Sequence, residues 1–223
     1  MPIRTLLRGA ALAALLATVL FGAVGVAQAS ADNASAARTA LKTSVDSILD
    51  IVKQPGYTDP AQRPALMDKV EEEIRQIFDF REFSARTVGV NWPSFTPDQQ
   101  DRFADAFASL LRATYLEKFD GYNGEQVLFT GELVSGKGDK VEVQTTVVVK
   151  DKQVPVAYRM LQNRQQHWVV YDVIIEGVSM VKNYRTQFQD LLEKGTADQL
   201  IERVKTKAEE VRKQPVQPAK PGK

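Results

Sequence analysis

The chain of 223 residues contains no cysteine and one histidine, and its 29 Lys and Arg stand against 28 Asp and Glu for a formal net charge of +1. Without cysteine there is no disulfide framework, no thiol nucleophile and no cysteine-ligated zinc or iron–sulfur centre. A single histidine removes most histidine-based metal sites, and no His-Glu-x-x-His pattern occurs. The near-zero charge lacks the basic footprint with which nucleic-acid-binding domains hold phosphates, so no nucleic-acid partner is expected. Gly136-Lys137-Gly138-Asp139-Lys140 comes nearest to a nucleotide-binding loop but lacks both its spacing and its hydroxyl residue. What is left predicts no metal, no cofactor and no enzyme.

Hydrophobic residues make up 43% of the chain, and the longest apolar run lies at the N-terminus. Arg4 and Arg8 precede an almost unbroken apolar stretch from Ala10 to Val26, and Ala27-Gln28-Ala29 offers a small-x-small cleavage site. An uncleaved anchor is the rival reading, because the run approaches the roughly 18 to 20 residues that span a bilayer. The well-placed Ala-Gln-Ala favours residues 1–29 as a cleaved export signal and a location outside the cytoplasm. Removing them takes two arginines and no acids, leaving 27 bases against 28 acids. Residues 30–213 are then one domain held by its core alone, a reasonable size for that. The Pro- and Lys-containing tail, residues 214–223, cannot form a core and is expected to be disordered.

Within the domain, Leu41, Val45, Ile48, Leu49 and Val52 recur at helical spacing over residues 36–53, and Gln54-Pro55-Gly56-Tyr57 breaks the pattern. Asp59-Pro60 with Gln62 reads as a capping box for a second helix that carries Leu66, Val70, Ile74, Ile77 and Phe78. A short third helix through Phe80 and Phe83 should end near Gly89. Thr96-Pro97-Asp98-Gln99 opens a fourth, whose stripe of Phe103, Phe107, Leu110, Leu111 and Tyr115 continues to Phe119. Four β-rich segments follow at 126–134, 141–150, 154–161 and 167–175, with connections short enough to make them antiparallel neighbours. Val141, Val143, Thr145, Val147 and Val149 share one face of the second segment. Trp168 to Ile175 is apolar on both faces, which places it centrally or under cover on both sides. Two helices close the domain, the second opened by a capping box at Thr196 and Gln199. The expected fold is α+β: N-terminal helices, a four-stranded antiparallel meander and C-terminal helices.

Few residues suggest chemistry. His167 sits beside Gln165 and Gln166 in a hairpin connection, where an exposed turn histidine is the ordinary outcome. Asp172, inside an apolar strand, must be paired or have a raised pKa. Pairing Leu161 with Trp168 sets Arg159 diagonally beside Asp172. The pair is then either structural, with backbone amides as further partners, or the acid/base carboxylate of an exported enzyme on a cone-shaped sheet, with Tyr158 or Tyr171 as donor. The structural reading is favoured. Glu176-Gly177 should turn the last strand into the next helix, where Asn183, Tyr184 and Arg185 form either a polar rim or a solvated face.

The run Val170-Tyr171-Asp172-Val173-Ile174-Ile175-Glu176-Gly177-Val178-Ser179-Met180-Val181-Lys182-Asn183-Tyr184-Arg185 closely resembles the MlaC, or toluene-tolerance, family of periplasmic phospholipid-binding proteins. Phe78-Asp79-Phe80, Trp92 with Thr96-Pro97-Asp98-Gln99-Gln100, the Phe103 to Tyr115 helix, Tyr158-Arg159 and Gly195 through Leu200-Ile201 match in the same order. The likeness covers essentially residues 36–210. The resemblance implies a monomeric soluble carrier that takes diacyl phospholipid between outer and inner membranes, with an inner-membrane ABC transporter complex and an outer-membrane lipoprotein complex as partners. A related carrier for other envelope lipids, such as hopanoids, is a further alternative. It also implies an apolar cavity for acyl chains with the headgroup near solvent. The candidate lining is Phe103, Phe107, Leu110, Leu111 and Tyr115 from the long helix and Val147, Val149, Val156, Tyr158, Val170 and Ile174 from the sheet. Arg159, Asp172, Glu176, Tyr184 and Arg185 are candidate polar or structural residues.

Overall fold

In the computed structural model the chain is described over residues 9–116, 122, 124–135, 138–150 and 152–213, with 9–30 described as helical backbone only. The end of the apolar stripe at Phe119 and the tail 214–223 lie outside the described residues. Helix α1 spans Gly9–Val52, so the helix expected from residue 36 continues the helix of the N-terminal segment. Among the described residues, no helix is long and apolar enough to cross a membrane.

A 3-10 turn at Pro55–Tyr57 ends the first helical layer, and α2 follows at Arg63–Ile77. It starts later than the Asp59-Pro60 signal suggests. The Asp59 carboxylate accepts from the Ala61 amide at 2.9 Å and from Gln62 Nε2 at 2.7 Å, which closes a turn, and Gln62 is the residue that precedes the helix. Helix α3, Phe80–Val88, is capped by Asp79 and stops at Gly89, whose φ of +66° a side chain would resist. Helix α4, Pro97–Leu111, opens with both hydrogen bonds of the Thr96/Gln99 capping box. It runs on into a π-helical stretch, Arg112–Leu116. Helices α5, Met180–Leu192, and α6, Ala197–Lys213, complete the set, and Thr196 and Gln199 make the second capping box.

The sheet has five antiparallel strands in sequence order: β1 Gln126–Ser135, β2 Lys140–Val149, β3 Lys152–Gln162, β4 Trp168–Ile175 and β5 Val178–Ser179. The fifth strand was not expected. Glu176 and Gly177 both have positive φ, as a two-residue type I′ hairpin loop requires, so the chain turns back on β4 for two residue pairs before entering α5. A parallel bridge from Phe78 to Val170 pins the α2–α3 junction to β4.

Three apolar clusters organise the interior. One is a helical core of α3, α4, α5 and α6, centred on Phe83, Phe103, Phe107, Tyr184, Phe188 and Ile201. A second joins α1 to the sheet through Ala37, Leu41, Val141, Val143, Met160 and Val170. The third gathers Val52, Tyr57, Leu66 and Val70 where α1 meets α2.

Candidate functional site

Strand β2 shows how a cavity arises. Val141, Val143, Val147 and Val149 share one face, and the first two are fully buried in one cluster with Ala37 and Leu41 of α1, whereas Val147 and Val149 are only partly buried. Farther along, Val147 and Val149 look into a hollow of about 640 Å³, a volume within the usual range of about 300–1,000 Å³ for ligand sites. Its sheet wall is completed by Val127, Val156, Tyr158, Val173 and Ile175. Opposite stand Ile48, Leu49 and Val52 of α1, Val70 and Ile74 of α2, Phe78, Phe80 and Phe83, and Ala108, Leu111, Tyr115 and Leu116 from the end of α4 and its π-helical extension. Among the described lining residues only Glu71, Arg75, Arg112 and Glu125 carry charge.

Of the residues singled out from sequence, the structure brings Leu111, Tyr115, Val147, Val149, Val156 and Tyr158 together around this hollow. Phe103, Phe107 and Leu110 lie instead in the helical core, on the face of α4 turned to α5 and α6. Val170 is fully buried between the sheet and α1, and Ile174 points to the other side of the sheet. The cause is local. The register pairs Val156 with Ile175, Tyr158 with Val173 and Arg159 with Asp172, then shifts so that Met160 meets Val170, leaving Tyr171 as the extra residue of a bulge. A bulge reverses the alternation beyond it, so Val173 and Ile175 replace Ile174 on the cavity face. The aliphatic faces of α1 and α2 carry a helix-period signal, but that signal does not distinguish a packed face from a cavity wall.

The same bulge corrects the position of Arg159, which sits directly opposite Asp172 and not diagonal to it. Asp172 is 2% exposed. Its Oδ2 accepts from Arg159 Nη1 at 3.1 Å and from Ser179 Oγ at 2.7 Å, while Oδ1 accepts from the Val181 amide at 3.0 Å. A second bond from Arg159 Nε reaches Glu142 at 3.1 Å. The carboxylate therefore ties β4 to β3 and to the start of α5, with both oxygens committed to donors. It borders a polar groove of about 570 Å³ on the far side of the sheet from the apolar cavity, with Arg86, Tyr171, Lys182 and Arg185. A general base needs a free lone pair facing its substrate, and this arrangement fits an anchor. Arg185 Nε donates to the Arg86 carbonyl at 2.7 Å, fastening α5 to α3.

Two tyrosines mark the boundary between the hollow and filled regions. Tyr158 opens into the cavity yet is shielded from bulk water, and burial pushes its phenol up to about 12. Tyr184 lies in the aromatic core, with its phenol also raised, first by burial and then by its neighbour Tyr115. Tyr115 lines the cavity.

The family model described as MlaC protein matches residues 42–206. A curated relative, the intermembrane phospholipid transport system binding protein MlaC of Haemophilus influenzae, is 22% identical over 169 residues, spanning 74% of this chain and 73% of that protein. A solved structure of a phospholipid-binding protein from Ralstonia solanacearum, in complex with a phospholipid, superposes with a TM-score of 0.68 at 27% identity. That match covers 79% of this chain and 99% of the other.

Proposed function

The chain belongs to the MlaC protein family, and from that premise we propose that it is a periplasmic carrier of diacyl phospholipid between the two membranes of the envelope. The cavity carries this reading. Left to water, the apolar wall around about 640 Å³ of space would forgo the roughly 25 cal/mol that each Å² of covered apolar surface contributes. Such a fold calls for an occupant, and a wall of aliphatic and aromatic carbon selects acyl chains.

The same arithmetic constrains the mechanism. Two acyl chains of about 28 methylenes together, at about 0.8 kcal/mol each, would lose on the order of 20 kcal/mol in water. A carrier must match the bilayer closely enough that extraction is nearly balanced. The sequence holds no nucleotide-binding loop, so direction comes from partners: an inner-membrane ABC transporter complex and an outer-membrane lipoprotein complex. Asp172, with both carboxylate oxygens accepting from donors, supports a structural role for the groove on the far side of the sheet.

Lipid extraction and mass spectrometry of the purified protein test the proposal. Wild type should yield diacyl phospholipid at a fixed stoichiometry. Val147→Asp puts a carboxylate on the dry wall, where ionisation is strongly disfavoured, and should release the lipid while circular dichroism keeps the native spectrum. A lipid-free wild type, or full lipid occupancy in the folded variant, would overturn it.

A further inference from the structure

Three of the four charged residues on the described cavity wall, Arg112, Glu71 and Arg75, are joined to one another. Arg112, on the π-helical stretch after α4, donates through Nη1 to Glu71 Oε2, and its Nη2 lies 3.4 Å from Asp68 Oδ1. Arg75 Nη2 donates to the other Glu71 oxygen at 2.8 Å, with its guanidinium 5.7 Å from the centre of the Phe80 ring. Asp68, Arg112, Glu71 and Arg75 thus form a chain of alternating charge between α2 and the end of α4. Arg112 also belongs to two hollows at once. It lines the apolar cavity and, with Pro60, Arg63, Pro64, Met67 and Asp68, an adjoining outer groove of about 440 Å³.

Acyl chains can enter the apolar cavity, but the phosphodiester joined to them cannot follow without a cation, because an unpaired buried anion is prohibitively costly. Resting on the carrier reading, we propose that Arg112 is the phosphate anchor of the bound phospholipid and that the groove beside it receives the headgroup. A guanidinium fork takes two phosphate oxygens as readily as two carboxylate oxygens. The anion exchanges with a carboxylate already present. The Asp68 side chain is 72% exposed and its contact with Arg112 is long, so it is the partner given up. Glu71, 21% exposed and held by two arginines, stays and orients the fork. Once released, Asp68 faces the groove, where it can pair with the ammonium of an ethanolamine headgroup, so no charge is left alone.

The test is competitive loading of the delipidated protein with dioleoyl phosphatidylethanolamine and dioleoylglycerol, which share their chains and differ in the phosphate-bearing headgroup. Wild type should prefer the phospholipid about tenfold or more, the scale of one charge-assisted hydrogen bond. Arg112→Gln should reduce that preference to about twofold while still taking up dioleoylglycerol, which also reports that it folds. Wild-type discrimination in Arg112→Gln, or none in wild type, would overturn the assignment. If wild type takes up neither lipid, the carrier reading itself fails. Headgroup placement is read separately, in protein that keeps Arg112. Because the sequence has no cysteine, Pro64→Cys supplies a unique thiol in the groove for a fluorophore. Phosphatidylethanolamine spin-labelled on its headgroup should quench that fluorophore more strongly than lipid labelled at the chain terminus. Equal or reversed quenching would exclude the groove.

Discussion

Helix α4 faces two interiors, one filled with rings and the other hollow. On its filled side Phe107 stands 4.9 Å from Tyr184, 5.5 Å from Phe188 and 5.5 Å from Phe83, measured between ring centroids. Phe103 closes the same stack against Phe188 at 5.4 Å. On its other side Ala108 and Leu111 look across the cavity toward the valines of β2. Hydrophobicity alone does not separate the two regions. Spacing does: rings from α3, α4 and α5 interlock across short gaps, whereas the aromatic and aliphatic side chains around the cavity line a gap that they do not cross. Close packing is the normal state of an interior, so the hollow side is the one specialised for a guest.

That contrast can be tested from both directions. Phe107→Ala should have the largest effect, destabilising the protein by about 3–5 kcal/mol through loss of burial and a new void, read as a lower midpoint in urea unfolding. The lipid content of the folded fraction should not change, because Phe107 does not touch the cavity. Asp172→Ala comes next. It strands the Val181 amide and the Ser179 hydroxyl at about 1–3 kcal/mol per unsatisfied group, and should lower the thermal midpoint with cavity occupancy intact. An unchanged midpoint would contradict the anchoring role given to Asp172.

The third change makes the hollow region resemble the filled one. Val147→Trp places a ring in the cavity and should abolish lipid binding while raising the melting temperature of the lipid-free protein by about 2–4 °C, the shift expected for roughly 1 kcal/mol in a domain of this size. Persistent lipid binding would mean that the acyl chains lie elsewhere. The smallest effect belongs to Tyr158. Its folded pKa of about 12 exceeds the ordinary phenol value of 10, so the unfolded chain loses its proton first as pH rises. Stability from this group is therefore complete below pH 10 and is lost between 10 and 12. Tyr158→Phe should flatten the fall in stability across that window, measured by urea unfolding at stepped pH, and leave the neutral range unaltered.

Much of this molecule can be read in the chain itself. Both Thr/Gln capping boxes, the stop at Gly89 and the valine face of β2 come from patterns a few residues long, and all are present in the folded chain. The second helix shows the limit of such reading. Asp59, Pro60 and Gln62 satisfy the pattern of a cap, yet the Asp59 side chain bonds to Ala61 and Gln62 and delays the helix. Strand β4 shows another limit. Apart from Asp172 the run is apolar on both faces, and one polar residue does not locate a change of face, so the bulge at Tyr171 cannot be read from the sequence and shifts the cavity wall from Ile174 to Val173 and Ile175.

Apart from β5 and the π-helical stretch, the sequence alone determined the element types, their order, the meander and the absence of disulfides, because each depends on local periodicity, capping chemistry or composition. Tertiary structure decided which apolar faces close on one another and which stay apart. It placed Phe103 and Phe107 in a packed core and Val147 and Val149 on an open wall, and it joined Arg112 to Glu71, 41 residues away in the chain. The physical reason is that a void is set by the distance between whole elements, and that distance is fixed only when helices and sheet have packed together.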